Sequence, residues 1–252
     1  MYCHIEILKG QVAIITGGAA GLGRAAAKRL GAEGCQVGIL DIADGAPARD
    51  EVTSAGGVAE SWVCDTTSEE RLAEVFGAIE SLFGRVDVLV NCAGILAPRI
   101  PWHEWDPKEV ERFIRVNYMG YYLTTRAAYP LLKKSRAARI INIGSRTFFM
   151  GNPGQFPYVA SKGAVQGLTW TLARELGEEG ITVNAVMPGM VATEGTRANS
   201  DEAGFDRVMQ NQAIKKRVTP EHLAGLIAFM ASDDAAMITG QTIICDGGGY
   251  LH

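Results

Sequence analysis

Seven short runs rich in Val and Ile recur along the chain, at residues 12–15, 36–41, 58–64, 86–90, 139–144, 181–187 and 242–245. Their near-continuous hydrophobicity suits strands buried on both faces, the mark of a parallel sheet. Amphipathic helical stretches separate them. Thr67-Ser68-Glu69-Glu70 and Asp106-Pro107-Lys108-Glu109 each set a capping residue three positions before a Glu. Pro107 and Pro220 sit where the first turn of a helix tolerates proline. Parallel strands need crossovers, which are short and right-handed, so the pattern predicts a doubly wound α/β fold. The expected architecture is a mostly parallel seven-stranded sheet with helices on both faces. No Pro/Ser-rich linker or repeat divides residues 1–252, so a single domain is expected. Residues 189–218 are polar and weakly periodic until about Asp206, as in a substrate loop or lid.

Composition narrows the function. Lys and Arg number 24 against 28 Asp and Glu, a net charge of −4. That balance lacks the basic footprint of a nucleic-acid binder and suits anionic membrane surfaces poorly. No apolar run reaches the ~18 residues of a membrane span, and the first residues lack the apolar core of a secretory signal. The five cysteines (Cys3, Cys35, Cys64, Cys92, Cys245) are scattered without a C-x-x-C pair. They read as small buried hydrophobes in a reducing compartment, the cytoplasm, and supply no metal site. The histidines His4, His103, His222 and His252 are equally scattered and are read as surface or structural. Glycine is abundant, 30 of 252 residues, against a typical share of ~7%. In a chain this hydrophobic, that excess means close backbone approaches.

The sharpest of these follows the first strand: Thr16-Gly17-Gly18-Ala19-Ala20-Gly21-Leu22-Gly23. Gly17 permits a turn, Gly21 lets the backbone approach a pyrophosphate, and Gly23 lets helix and sheet pack closely. The phosphates then meet the free N–H groups of a helix that opens near Leu22. Asp41 ends the second strand near the ~20-residue offset expected of a carboxylate that binds the adenosine ribose. It would accept from both ribose hydroxyls and repel a 2′-phosphate. Neither Ile42 nor Ala20 offers a cation to offset that repulsion. The residues therefore favour NAD over NADP.

Tyr158 and Lys162 lie four apart in a helical segment, on one face. A phenol with pKa near 10 is a weak base at neutral pH, and a neighbouring ammonium favours its ionised form. Ser145 ends the fifth strand, and carboxyl ends of strands face the ligand crevice in such sheets. These elements together resemble a classical short-chain dehydrogenase/reductase over essentially the whole chain. The matching elements are Thr16-Gly-x-x-x-Gly21-x-Gly23, Asp41, Asp65, Asn91-Cys92-Ala93-Gly94, Asn117, Ser145, Tyr158-x-x-x-Lys162, Pro188-Gly189-x-x-x-Thr193 and Asp246-Gly247-Gly248. Cys92 replaces a frequent second Asn, and Gly144 a frequent Ser; neither is a catalytic group.

The resemblance implies a Rossmann fold, a bound nicotinamide dinucleotide and direct hydride transfer between that cofactor and a secondary alcohol or ketone. By the same resemblance Tyr158 exchanges the proton, Ser145 holds the substrate oxygen, and Lys162 binds the nicotinamide ribose. Asn117 is implied to hold a relay water beside Lys162. Asp65 is implied at the adenine, Asn91 through Gly94 (with Ala93) on the adenosine side, and Pro188, Gly189, Val191 and Thr193 at the nicotinamide amide. A homotetramer, or a homodimer, is also implied, consistent with long helices near 108–134 and 158–178 and an apolar last strand. The run Ser145-Arg146-Thr147-Phe148-Phe149 and the tail Ala231-Ser-Asp-Asp-Ala235, Ile238-Thr-Gly-Gln-Thr242 and Asp246-Gly247-Gly248 look like those of bacterial catabolic alcohol dehydrogenases. Phe148, Phe149, Gln155 and Met190 flank the expected chemistry in sequence and are candidate substrate contacts. Trp102 and Trp105 are read as loop anchors before pocket walls.

Three other functions compete. A ketoacyl-thioester reductase of the same family normally uses NADP, against the reading of Asp41. A dinucleotide-sensing protein without turnover would typically lack Tyr158 or Lys162. A serine hydrolase would need a G-x-S-x-G elbow, where this chain has Ile143-Gly144-Ser145-Arg146-Thr147.

Overall fold

The computed structural model describes residues 7–198 and 200–251; Cys3, His4 and His252 lie outside the described residues. Seven strands form one parallel sheet: β1 (Val12–Thr16), β2 (Gln36–Asp41), β3 (Val58–Val63), β4 (Val88–Asn91), β5 (Arg139–Ile143), β6 (Thr182–Pro188) and β7 (Thr242–Cys245). Their spatial order is β3-β2-β1-β4-β5-β6-β7, every neighbouring pair parallel. The winding direction reverses between β1 and β4, so a crevice must open at their carboxyl ends.

Helices alternate with the strands: α1 (Gly21–Ala32), α2 (Ala46–Ser54), α3 (Glu69–Phe83), α4 (Pro107–Ile114), α5 (Gly120–Leu132), α6 (Thr147–Met150), α7 (Phe156–Glu175), α8 (Glu194–Arg197), α9 (Glu202–Gln210) and α10 (Pro220–Ala231). Side chains alternate along each strand between two cores, as a two-residue period requires. Ala13, Ile15, Val37, Ile39, Val88 and Val90 pack with Leu30 of α1 and Leu223 and Ile227 of α10. Val12, Ile14, Leu40, Leu89, Ile140 and Val183 pack with Leu72, Val75 and Ile79 of α3, Leu131 of α5 and Ala173 of α7. Each fully buried large aliphatic side chain contributes about 1.5–3 kcal/mol, and two such layers hold the strand ends rigidly in place.

Some sequence expectations shift. β3 is not buried on both faces; as the sheet edge it leaves Val58 and Val63 exposed. β4 begins at Val88, later than the run from 86 suggests; just before it the Asp87 carboxylate accepts from Val12 N–H at 2.8 Å and pairs with Arg85. The cap of α3 is Ser68, which accepts from Arg71 N–H, and not Thr67. Asp106 caps α4 as expected, accepting from Lys108 N–H. The helix expected near 108–134 is α4 and α5 joined by a π turn over Arg115–Met119, where Gly120 N–H reaches back five residues to the Arg115 carbonyl. Such turns are rare and often mark functional sites. His222 is structural: its Nδ1 accepts from Thr219 N–H at the start of α10.

Residues 189–218 hold two short helices, α8 and α9, and a bridge between Val191 and Val218 closes their base. No helix among the described residues is long and apolar enough to cross a membrane.

Candidate active site

A cleft of about 1240 Å³ opens above the carboxyl ends of the strands, lined from one end by Gly17, Gly21, Leu22, Gly23, Asp41 and Asp65. The turn before α1 can exist only with glycine. A Cβ on Gly23 would stand 2.1 Å from the Gly17 carbonyl oxygen, and one on Gly17 would stand 2.7 Å from Ala93 Cα. Gly17 and Gly21 both have positive φ, a conformation in which side chains are strained. Ala20 precedes α1 and no side chain caps that helix. Its first N–H groups therefore face the cleft unsatisfied by protein, at the positive end of a twelve-residue helix. This cradle fits a pyrophosphate, and the residues present fit a nicotinamide dinucleotide.

Asp41 sits at the end of β2, each carboxylate oxygen accepting one backbone N–H: Ala19 and Ala43, both at 3.0 Å. It thus braces the glycine turn while lining the cleft. Ile42 beside it is exposed. Of the three cations of α1, Arg24 and Lys28 pair with Glu51 and Arg29 pairs with Glu33. Asp65 also lines the cleft and holds its own turn, its Oδ1 accepting from Thr67 N–H and Oγ1 at 2.8 and 2.9 Å. Ala93, Gly94, Pro188, Gly189, Val191 and Thr193 line it as expected.

Asn91 does not. Its amide points into the core, donating to Thr125 Oγ1 and Asn142 Oδ1 at 3.0 and 2.9 Å. The period-two alternation explains this: Asn91 ends β4, and only the residues after it turn to the cleft.

Ser145, Tyr158 and Lys162 converge in the same cleft, beyond the end of β5. The helix α7 brings Tyr158 and Lys162 to one face, with the lysine nitrogen 5.8 Å from the phenol ring centre. The Ser145 hydroxyl beside it acts to lower the Tyr158 phenol pKa, but burial outweighs it and the pKa rises above its usual 10. Burial also lowers Lys162, to about 8. The sequence makes the lysine the main influence on the phenol; in the structure burial is the larger one. Thr147, which no motif flagged, donates to Ser145 Oγ through its hydroxyl at 2.9 Å and its N–H at 3.3 Å. The serine is thereby left its own proton to direct at Tyr158.

Asn117 lies in the π turn, fully buried, and its amide is spent elsewhere. Oδ1 accepts from Ile95 N–H at 2.8 Å, and Nδ2 donates to the Ile95 carbonyl and to Ser161 Oγ, both at 3.1 Å. The side chain therefore clamps the strand-end loop to α7.

The expected substrate contacts lie off the cleft, although Phe148 and Phe149 meet each other with ring centres 5.1 Å apart. Phe148 packs against Gly163 of α7, where an added Cβ would stand 3.0 Å from its ring. Phe149 stacks on Tyr250, ring centres 5.5 Å apart. Gln155 donates to the Ala97 carbonyl at 2.8 Å. None of these, nor Met190, lines the cleft. The apolar wall comes instead from the segment after β4 and from α4: Ile95, Leu96, Pro98, Ile100, Trp105 and Phe113. Trp105 is both anchor and wall. It donates to the Ile100 carbonyl at 3.2 Å, meets Phe113 edge-on and borders the cleft. Trp102 is exposed.

Known proteins agree with this geometry. A family model described as enoyl-(acyl carrier protein) reductase matches residues 17–250. A 3-oxoacyl-[acyl-carrier-protein] reductase of Synechocystis is 38% identical, covering 96% of this chain and 97% of its own. The enzyme of that name from Escherichia coli is 37% identical over 96% of this chain and 98% of its own. Among solved structures, a dehydrogenase/reductase from Sinorhizobium meliloti superposes with TM-score 0.90 at 33% identity, covering 98% of both chains. Levodione reductase superposes with TM-score 0.90 at 28% identity, over 96% of this chain and 98% of its own. A glycine cradle, a serine, tyrosine and lysine in one cleft, and relatives matched end to end carry one conclusion: the chain belongs to the classical short-chain dehydrogenase/reductase family.

Proposed function

We propose that the protein is an NAD-dependent oxidoreductase that interconverts a secondary alcohol and a ketone. The observation that carries this reading is the convergence of Ser145, Tyr158 and Lys162 in the cleft that the glycine turn opens. When bound, a nicotinamide dinucleotide supplies or accepts the hydride. Gly17, Gly21, Leu22 and Gly23 hold its pyrophosphate, and Asp41 its adenosine ribose. Asp65 borders the adenine, and Pro188, Gly189, Val191 and Thr193 border the nicotinamide. Ser145 donates to the substrate oxygen and Tyr158 transfers a proton at that same oxygen. Lys162 supplies the positive charge that offsets a Tyr158 phenolate. The loop over 189–218 is positioned to exclude water, since Val191, Thr193, Glu194, Gly195 and Thr196 already border the cleft.

Asp41 is what supports NAD over NADP. Asp41→Ala is expected to relax the preference by roughly tenfold or more, about the 1.4 kcal/mol of one charge-assisted hydrogen bond. Steady-state kcat/KM with the two dinucleotides measures it, and an unchanged ratio would remove the ribose contact.

The apolar part of the wall, formed by Ile95, Leu96, Pro98, Ile100, Trp105 and Phe113, favours bulky or aromatic alcohols, although Glu104, Asp106, Glu109 and Arg112 also border the cleft. Trp105→Ala is expected to lower kcat/KM for aryl alcohols by about tenfold or more, from the ~1.5–3 kcal/mol of a large apolar contact. Small aliphatic alcohols should change little; equal losses on both would mean that Trp105 only anchors its loop.

A second reading, reduction of a 3-ketoacyl thioester, is favoured by the names of the 37–38% identical relatives. The test of the main reading is a screen of secondary alcohols with NAD against NADP, beside a ketoacyl thioester with the reduced forms. NADPH-dependent thioester reduction exceeding every alcohol oxidation would replace the main reading with this one. Dinucleotide binding without turnover on either set would leave only a sensor.

A further inference from the structure

Tyr121 sits on the first turn of α5, directly after the π turn, and is fully buried. Its hydroxyl donates to the Ile143 carbonyl at 3.1 Å. Lys162 Nζ donates to that same carbonyl at 2.8 Å and to the Tyr121 hydroxyl at a long 3.4 Å. The amine also lies 5.1 Å from the Tyr121 ring centre, closer than to that of Tyr158. These contacts form a closed triangle of one carbonyl, one hydroxyl and one amine at the end of β5.

The triangle has a direction. The single proton of Tyr121 is committed to Ile143, so its oxygen can only accept from Lys162. An acceptor facing an amine favours the form with more N–H donors, the ammonium. The ring adds a weaker attraction of the same sign, since an ammonium near an aromatic face is stabilised by its quadrupole. The other groups that face the amine are Tyr158 from its own helix and Cys92 from the segment after β4. Burial raises both phenols above their usual value and the Cys92 thiol to about 11, so none of the three is an anion at neutral pH. A buried ammonium with no counter-ion depends on dipoles.

We propose that Tyr121 is a positioning residue of the hydride-transfer site, its hydroxyl and the Ile143 carbonyl together holding Lys162 as an ammonium aimed into the cleft. The inference rests on the role proposed above for Lys162. It assigns work to a buried residue outside the lining of the cleft. Losing that hydroxyl makes Lys162 easier to deprotonate. The charge that supports a Tyr158 phenolate then disappears at lower pH, and the alkaline limb of the activity profile moves down.

The experiment is the pH dependence of kcat/KM for alcohol oxidation in the parent and in Tyr121→Phe, which keeps the ring and removes only the oxygen. The alkaline limb is expected to fall by roughly one pH unit, a tenfold change in the lysine equilibrium. At the pH optimum the loss falls mainly on kcat. A merely structural role for Tyr121 would lower activity by the same factor at every pH, and an unmoved limb overturns the proposal. If Tyr121→Phe folds poorly, 4-fluorophenylalanine at position 121 decides. It keeps the ring and nearly the same packing and replaces the hydroxyl by a fluorine, a poor acceptor that cannot ionise, so the limb is again expected to move down. A limb unmoved there overturns the proposal as well. Tyr158→Phe, run in parallel, separates the two levels: if that variant keeps its turnover, the site assignment fails; if it is inactive while the Tyr121 limb stays fixed, only this inference fails.

Discussion

Tyr158→Phe is expected to lose roughly 10²–10⁴-fold in kcat, the range that a positioned general acid–base group supplies. Dinucleotide affinity should stay nearly constant, because the cradle, Asp41 and the amine of Lys162 remain in place. The parent enzyme's pH profile follows from the same geometry. Burial holds the Tyr158 phenol protonated to above its usual 10, so at neutral pH it stands ready as an acid for ketone reduction. Alcohol oxidation needs the opposite form and should accelerate as pH rises, until Lys162, lowered to about 8, loses its charge. Initial rates in both directions between pH 6 and pH 10 should therefore diverge, reduction favoured at the acid end and oxidation above neutrality. A Tyr158→Phe loss below about tenfold would place the proton transfer on another group. So would identical pH profiles in the two directions.

The parts of this protein readable from the chain were those that local physics fixes. The Val- and Ile-rich runs, the cap at Asp106 and the glycines around Gly17 each obey rules that hold before tertiary contacts form. The Tyr158–Lys162 spacing is a property of any helix, so their shared face was legible too. What escaped were directions and partners set by the third dimension. Asn91 stands in a matching motif, yet the strand's alternation turns its amide into the core. Asn117 matched as well, but the π turn delivers it to Ile95 and Ser161. Phe148 and Phe149 neighbour Ser145 in sequence, but α6 carries them toward Gly163 and Tyr250. The cleft wall comes instead from the segment after β4 and from α4, and although the cap of α4 is legible, nothing in the sequence places it beside Ser145. Thr147 and Tyr121 belong to no motif, and only the fold brings them against Ser145 and Lys162.

One long-range contact that no spacing rule reveals should dominate the stability of the site. Arg146 follows Ser145 directly, and its guanidinium meets Asp246 at 2.8 Å, both residues buried. Asp246 Oδ1 also accepts from the N–H groups of Gly248 and Gly249, at 2.9 and 3.0 Å. The close fit needs Gly249, since a Cβ there would stand 2.2 Å from the guanidinium. The pair thus fastens the C-terminal segment, with Tyr250 stacked on Phe149, beside the serine that is proposed to hold the substrate oxygen. Asp246→Ala leaves the guanidinium buried and unpaired, which costs about 3–5 kcal/mol. For a chain of this length each kcal/mol moves the midpoint by about 2–4 °C, so a drop of roughly 10 °C is expected. Turnover should fall with it, because Arg146 N–H also donates to the Pro188 carbonyl at the nicotinamide end of the cleft. The decisive comparison is a double-mutant cycle with Arg146→Met, followed by thermal unfolding. Removing both partners relieves the buried charge, so the double variant should be more stable than Asp246→Ala alone. Strict additivity of the two losses would mean that the ions do not depend on each other, and that the C-terminal segment is held by its ring contacts instead.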